Sequence, residues 1–179
     1  MTDKDHDIVE SLSQNPEEGF RILMRRYQEP IYWHIRRLVV SHDDAQDASQ
    51  ETFVRVFRSY GNFRGSCSFR SWLYRIATHE AFRIISRRRQ ETVSIESDTT
   101  GVNLVSADQY INYDDQMAVK FQKAILQLPP KQQLAFNLRY YDDLEFDEIA
   151  KIADSTPASI KASYHVAKDK IIKYMNSND

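Results

Sequence analysis

The sequence has only one cysteine, four glycines and five prolines among its 179 residues. A lone thiol, Cys67, cannot form an internal disulfide and has no second cysteine with which to build a thiolate metal cage. A chain of many strands and tight turns usually has more glycines and prolines than this. Their scarcity suits long helices better. The sequence therefore predicts a helical fold without a cofactor or metal.

The sequence also lacks an apolar run near the roughly 20 residues that a membrane span requires. Its first residues are acidic and have neither the basic nor the apolar region of a secretory signal. Hydrophobic residues make up 41% and charged residues 28%, which is typical of a folded globular chain. We expect a cytoplasmic protein with no membrane insertion of its own.

The net charge of −2 conceals an uneven distribution. Between Gly61 and Gln90, seven arginines stand against a single acidic residue, Glu80, and leave that segment at +6. Between Thr92 and Asp115 there are five acidic residues and no lysine or arginine, so that segment carries −5. A cationic segment followed by an anionic one indicates a local electrostatic role, such as binding nucleic acid, that the total charge does not reveal.

The periodicity of apolar residues divides the chain into two predicted domains. Helical spacing runs through three predicted helices in residues 1–91 and four in residues 114–179, with no strand pair or internal repeat. Residues 92–113 lose this spacing and are rich in Thr, Ser, Asp and Asn, which is typical of a flexible linker. One short helix near residues 107–110 is the single element expected there. The prediction is an all-α protein of two small helical domains.

Capping residues mark where the predicted helices of the first domain begin. Ser41 and Ser68 stand directly before stretches of helical spacing, where a hydroxyl can accept a hydrogen bond from a backbone N–H. We expect three helices with one shared apolar stripe to form a bundle. The residues predicted to be buried on the second helix are Ala45, Ala48, Phe53, Val56, Phe57 and Tyr60.

A loop rich in glycine and serine precedes the arginine-rich helix. Aromatic planes stack on unpaired bases while guanidinium groups hold the backbone, so Phe63 in this loop indicates single-stranded DNA as the ligand. Ser66, Ser68 and His79 can bind the edge of an extruded base. Phe69 and Trp72 stand at core spacing and are better explained as packing residues. The candidate DNA-binding residues here are Phe63, Arg64, Ser66, Arg75, His79, Arg83, Arg87 and Arg88.

Two short helices near the end of the chain have the pattern of a helix-turn-helix. Thr156 can cap the second helix, and Pro157 fits its first turn. At about 100° per residue, Lys161, His165 and Lys168 lie together on the side away from the apolar stripe. We expect the lysines to contact phosphates and His165 to contact a base edge in the major groove. The alternative is a plain helical hairpin whose outer face is only solvated.

Three stretches of the chain match known motifs in order. Residues 63–77 (FRGSCSFRSWLYRIA) look like a promoter-melting segment, and residues 44–53 (DAQDASQETF) look like a helix that docks on RNA polymerase. Residues 128–133 (LPPKQQ) with residues 144–150 (LEFDEIA) look like a −35-binding domain. The ordered set, which spans nearly the whole chain, resembles the extracytoplasmic-function (ECF) group of bacterial RNA polymerase sigma factors.

This resemblance implies a transcription initiation factor without catalytic residues. Sigma region 2, residues 1–91, would bind core polymerase and melt and read the −10 element. Region 4, residues 114–179, would read the −35 element. The residues implied at the −35 element are Ser159, Lys161, Ala162, His165 and Lys168.

The resemblance also implies protein partners. Asp47, Gln50 and Glu51 share one helix face and would bind the β and β′ subunits of core polymerase. Many relatives are held inactive by an anti-sigma factor that clamps both domains, so we expect such a partner here.

The chain departs from the family pattern at several positions. The family commonly has Asn where this chain has His79, and residues 158–163 replace a run usually written Gly-Thr-Val-Lys-Ser-Arg. Val166 and Asp169 stand where basic residues are frequent. We therefore expect that this domain binds the −35 element weakly and relies on polymerase for affinity.

Three other classes of protein fit the sequence less well. His79-Glu80 matches the first two residues of a zinc-protease motif, but Arg83 occupies the place of the second histidine, which argues against an enzyme. A decoy that only binds an anti-sigma factor has no need for loop aromatics beside a cationic strip. A dimeric helix-turn-helix regulator leaves the first ninety or so residues without a purpose.

Overall fold

The computed structural model describes residues 5–94 and 115–177, with side chains up to residue 91 and from residue 115 onward. The chain divides into two units, residues 1–101 and 102–179. Within the described ranges the regular structure is helical throughout and no strand occurs, which confirms the predicted all-α fold. The predicted domain borders stay predictions, and the linker with its short helix falls almost wholly outside the described residues.

The first unit is a bundle of helices arranged around α2, which packs against α1, α3 and α4. The helix α3 also packs against α4, so α2, α3 and α4 share one core. The helix α1 is an addition to the three helices predicted for this domain. The described helices of this unit are α1 (His6–Gln14), α2 (Pro16–Val39), α3 (His42–Ser59) and α4 (Phe69–Ser94), with a 3-10 turn at Tyr60–Asn62.

Side-chain caps fix where the helices of the first unit begin. The Ser41 hydroxyl accepts a hydrogen bond from the Asp44 N–H at 3.3 Å and so caps α3. The Ser68 hydroxyl accepts one from the Ser71 N–H at 3.1 Å and so caps α4. Both predicted caps are confirmed, and each satisfies a backbone donor that the first helical turn leaves without a partner.

A buried polar contact ties α4 to α2. His34 has no exposed surface, and its Nε2 lies 2.9 Å from the Thr78 hydroxyl. Since that hydroxyl donates its own proton to the Tyr74 carbonyl oxygen, Nε2 must carry the hydrogen of this contact. Burial, with a smaller contribution from the nearby charge of Arg37, lowers the pKa of His34 to about 3. His34 is therefore a neutral core residue.

The second unit is built around α8, which packs against α5, α6 and α7. Pro130 begins α6 after the Pro129–Pro130 break, as predicted. The core residues include Ala124, Ile125, Leu128, Phe136, Ala167 and Ile171. The described helices are α5 (Gln116–Leu126), α6 (Pro130–Tyr140), α7 (Phe146–Ile152) and α8 (Pro157–Asn176).

The neutral state of His34 predicts a pH dependence of stability. In the unfolded chain its pKa returns to 6.5, so between pH 6.5 and about 3 the unfolded state binds a proton that the folded state does not. The free energy of unfolding should therefore fall as the pH decreases through this window, by up to about 1.4 kcal/mol per pH unit. His34→Gln keeps an amide donor for Thr78 and should flatten this dependence.

Urea unfolding followed by tryptophan fluorescence between pH 7 and 4.5 measures the effect. Both tryptophans, Trp33 and Trp72, lie in the first unit, so the signal reports that unit alone. The exposed His42 supplies the control variant His42→Gln. Equal pH slopes for the wild type and His34→Gln would contradict the prediction.

Candidate nucleic-acid interface

The loop before α4 holds a cluster of three aromatic rings. The ring centroid of Phe63 lies 5.6 Å from that of Phe69 and 5.4 Å from that of Trp72. Phe69 is only 1% exposed and belongs to the core, as predicted. Phe63 and Trp72 are half-buried. Phe63 thus rests on a buried ring and still presents part of its surface to solvent, which is the geometry that a stacking platform requires.

The same loop turns at Gly65, which has a φ of 70°. This left-handed conformation favours glycine because a side chain there is strained. The neighbours Arg64 and Ser66 are both exposed. Ser68 is occupied as the cap of α4, so Ser66 is the hydroxyl of this loop that is left to meet a ligand.

A strip of polar side chains follows one flank of α4. Arg75, His79, Arg83 and Arg87 recur every four residues, and all four are exposed. Residues four apart on a helix lie one above the other, so the structure brings the predicted strip together. A strand of DNA laid along this flank would meet a cation or an imidazole at each turn.

Two arginines of α4 pair with carboxylates of the same unit. Arg83 Nη2 lies 3.0 Å from the Glu80 carboxylate. Arg88 makes two hydrogen bonds to Asp44 at the start of α3, of 2.7 Å from Nη2 and 3.2 Å from Nε. No ion pair links Arg64, Arg87 or Arg89 to any residue whose side chain the structure describes.

An ion pair between a buried carboxylate and an exposed arginine fixes α4 against α3. The Glu80 side chain is 3% exposed and lies 2.5 Å from Arg55 Nε. Arg55 also lies 3.4 Å from Glu51 on its own helix. Because Glu80 must face α3, its neighbour His79 faces solvent. This pair is not predicted above, although a single acidic residue within an arginine-rich helix is a signal of a specific partner.

Of the predicted polymerase-binding residues on α3, Gln50 lines an apolar groove between α2 and α3, whereas Asp47 and Glu51 are not part of the groove lining. Asp47 and Gln50 are exposed, and Glu51 is half-buried. Phe57 is 49% exposed and Val54 40% exposed. The groove is lined by Phe20, Met24, Gln50, Phe53, Val54 and Phe57, with polar and charged residues around them.

The prediction that Phe57 is buried is wrong. Its ring contacts Phe20 of α2 at a centroid distance of 5.4 Å, but nothing in the described structure covers its outer side. The apolar stripe of α3 is wider than the surface that α2 covers. A large exposed ring beside further exposed apolar residues is typical of an interaction surface.

The predicted helix-turn-helix is present in the second unit. The rings of Phe146 on α7 and Tyr164 on α8 lie 5.6 Å apart and join the two helices. The turn between them contains Asp154, whose φ is 48°. The Thr156 hydroxyl accepts a hydrogen bond of 3.2 Å from the Ser159 N–H, which confirms the predicted cap of α8.

The outer face of α8 carries four of the five predicted −35 residues. Lys161, Ala162, His165 and Lys168 are all exposed there. Ser159 is half-buried, and its hydroxyl accepts a hydrogen bond of 2.8 Å from Lys131 at the start of α6. Ser159 therefore joins α8 to α6 in this structure.

Comparisons with known proteins agree with this architecture. The Sigma-70 region 2 family matches residues 23–91, and the Sigma-70 region 4 family matches residues 118–171. RNA polymerase sigma-H factor of Pseudomonas aeruginosa is 27% identical, over 96% of this chain and 93% of its own length. ECF RNA polymerase sigma-E factor of Escherichia coli K12 is 28% identical, over 93% and 92%.

Solved structures share the fold. The sigma factor RpoE of Bartonella quintana, in complex with the anti-sigma factor NepR, matches with a TM-score of 0.70 at 19% identity, over 90% of this chain and 99% of that one. CnrH in complex with the cytosolic domain of CnrY matches with a TM-score of 0.74 at 15% identity, over 98% and 99%.

The chain belongs to the sigma-70 family of transcription initiation factors, in its ECF group. It is therefore a factor for promoter-specific initiation of transcription and not an enzyme. Among the described residues, no cluster of His, Cys, Asp or Glu could hold a metal ion. None of the described helices is long and apolar enough to cross a membrane.

The buried position of Glu80 predicts that its charge stabilises the first unit. Glu80→Gln keeps the shape but removes the charge that Arg55 and Arg83 face, so the free energy of unfolding should fall by about 1–3 kcal/mol. Urea unfolding by tryptophan fluorescence measures this loss. The control is Glu91→Gln, which removes an exposed carboxylate from the same helix and should cost no more than about 0.5 kcal/mol. Equal losses in the two variants would show that the buried pair adds nothing.

Proposed function

We propose that the chain binds core RNA polymerase and that the resulting holoenzyme opens promoter DNA with the first unit and anchors upstream with the second. The observation that carries the proposal is the half-exposed Phe63 ring beside the polar flank of α4. We assign region 2 to residues 1–91 and region 4 to residues 114–179, with an acidic linker between them. The site of action is the cytoplasm, where bacterial promoters are.

In this proposal the first unit captures the −10 element as a single strand. Phe63 stacks on an unpaired base, while Ser66 and His79 meet base edges. Arg64, Arg75, Arg83 and Arg87 hold the backbone. Three features support this assignment: the accessible face of Phe63, the exposure of Ser66 beside the turn at Gly65, and the recurrence of exposed polar residues every four positions along α4.

The second unit reads the −35 element with the outer face of α8. The lysines at positions 161 and 168 meet phosphates, and His165 meets a base edge. The exposed Ala162 lies between them and lets the helix approach the floor of the major groove. Ser159 contributes through the first turn of α8, where Lys131 holds its hydroxyl.

Core polymerase docks on α3 and the groove beside it. Asp47, Gln50 and Glu51 supply polar contacts, and the exposed rings and methyl groups of Phe57 and Val54 supply apolar area. An interface that combines an apolar centre with a polar rim is typical of stable protein partners. The β and β′ subunits are the proposed partners.

An anti-sigma factor is a second proposed partner. It is suggested by the two structural relatives, which were solved with the anti-sigma factor NepR and with the cytosolic domain of CnrY. A regulator that covered the groove beside α3 would compete directly with polymerase.

Phe63→Ala tests promoter opening. The wild-type holoenzyme first selects a promoter from a random DNA library, and permanganate reactivity of its unpaired thymines then measures opening. One base–aromatic stack contributes about 1–3 kcal/mol, so its loss should lower the equilibrium constant for promoter opening by about 5- to 150-fold. Phe63→Trp keeps the stack and serves as the control. The idea fails if Phe63→Ala opens the promoter as well as the wild type does.

Lys161→Ala tests the upstream anchor. Loss of one phosphate contact on duplex DNA should reduce the slope of log affinity against log salt by about 0.9. The matched control is Lys173→Ala, which removes an exposed lysine from the far end of the same helix. Gel-shift titrations of the holoenzyme at several salt concentrations measure the slope, and identical slopes for both variants would count against a −35 role.

Phe57→Ala tests the docking groove. The variant should bind core polymerase at least about 5-fold more weakly, because apolar contacts in the centre of an interface each contribute more than about 1 kcal/mol. Ile172→Ala is the matched control, since Ile172 is 47% exposed, close to the 49% of Phe57, and lies on α8. Fluorescence anisotropy of the labelled chain titrated with core polymerase measures the affinity. Equal affinities for the two variants would remove the groove from the interface.

A further inference from the structure

The three consecutive arginines at the end of the described part of α4 are not equivalent. Arg87, Arg88 and Arg89 are all exposed as whole residues. Successive helix positions are about 100° apart, so the three side chains leave the helix in different directions. Among the side chains that the structure describes, the middle arginine alone of the three has a carboxylate of another helix as its partner.

That partner is Asp44 in the first turn of α3. Arg88 reaches it with two parallel hydrogen bonds, from Nη2 at 2.7 Å and from Nε at 3.2 Å. This planar, two-bond arrangement is the strongest that an arginine forms with a carboxylate. The bonds raise the pKa of the Arg88 guanidinium above its ordinary value.

The energetics hold Arg88 at this position. The Asp44 side chain is only 10% exposed, whereas that of Arg88 is 58% exposed. If Arg88 turned toward a phosphate, a largely buried carboxylate would lose its counter-charge, which is costly. An arginine already neutralised by a fixed carboxylate also releases few counterions from DNA. Arg87 and Arg89 have no such carboxylate among the described side chains.

We propose that Arg88 is a positioning residue: its pair with Asp44 joins this part of α4 to the start of α3 and so sets the two flanks of α4 on which Arg87 and Arg89 meet DNA phosphates. The inference rests on the proposed −10 contact and refines it: in the run 87–89, the outer two arginines bind phosphates and the middle one sets their direction. Asp44 has the same positioning role, although it does not contact DNA.

The experiment measures binding of holoenzyme to a fork-junction duplex with a single-stranded −10 segment, built from the library-selected promoter, at a series of salt concentrations. Arg87→Gln and Arg89→Gln should each reduce the slope of log affinity against log salt by about 0.7. Arg88→Gln should leave the slope at its wild-type value and weaken binding by a similar factor at every salt concentration. Asp44→Asn should have the same effect as Arg88→Gln.

Two further variants separate positioning from direct contact. Arg88→Lys keeps the charge, which suffices for a phosphate, but loses the two-bond geometry. It should therefore weaken binding at an unchanged slope. In the double variant Asp44→Asn/Arg88→Gln, the second substitution should add little to the first, because both break one interaction.

The inference is overturned if Arg88→Gln lowers the slope as its neighbours do and Arg88→Lys binds like the wild type. It is also overturned if the effects of the Asp44 and Arg88 substitutions are additive. If the wild-type holoenzyme does not retain the fork-junction probe at all, the proposed function itself fails and the inference falls with it. A normal wild-type signal with equal slope losses at positions 87, 88 and 89 would overturn the inference alone.

Discussion

The Glu80 carboxylate, buried between α3 and α4 and held by Arg55, fixes how α4 is rotated within the first unit. On another side of the same helix, Thr78 meets the neutral imidazole of His34. These two polar contacts leave one orientation for α4, because either group would be buried without its partner if the helix turned. The exposed flank that begins with His79 is a consequence of that constraint.

Ion pairs within the protein also explain why the seven arginines between Gly61 and Gln90 do not all contact phosphates. Some of the positive charge serves the protein itself, because the Arg88 guanidinium lies against the Asp44 carboxylate. The remaining cations are then held on a rigid surface and not on a mobile helix end. A rigidly positioned DNA-binding surface can distinguish an opened strand from a duplex. Stacking on Phe63 requires an unpaired base, which only the opened strand offers.

Both units have a buried apolar core, but different side-chain contacts add to it. In the first unit these are the charged and polar pairs between its helices, and in the second they are aromatic contacts around Phe136. That ring is stacked against Tyr140 at 5.2 Å and against Tyr164 at 5.9 Å. The contact with Tyr164 joins α6 to α8, so the helix that faces the major groove in our proposal is supported on its inner side. The outer side is then free to carry lysines and His165.

The sequence by itself determined seven of the eight described α-helices, three of their caps and the family, because these depend on signals between residues close in the chain. The hydroxyls of Ser41, Ser68 and Thr156 each cap a helix, as local spacing predicts. Only the tertiary structure decided which arginines meet carboxylates and that Phe57 is exposed. Both depend on which faces of distant helices meet, and a helical period does not show how wide a face the neighbouring helix covers.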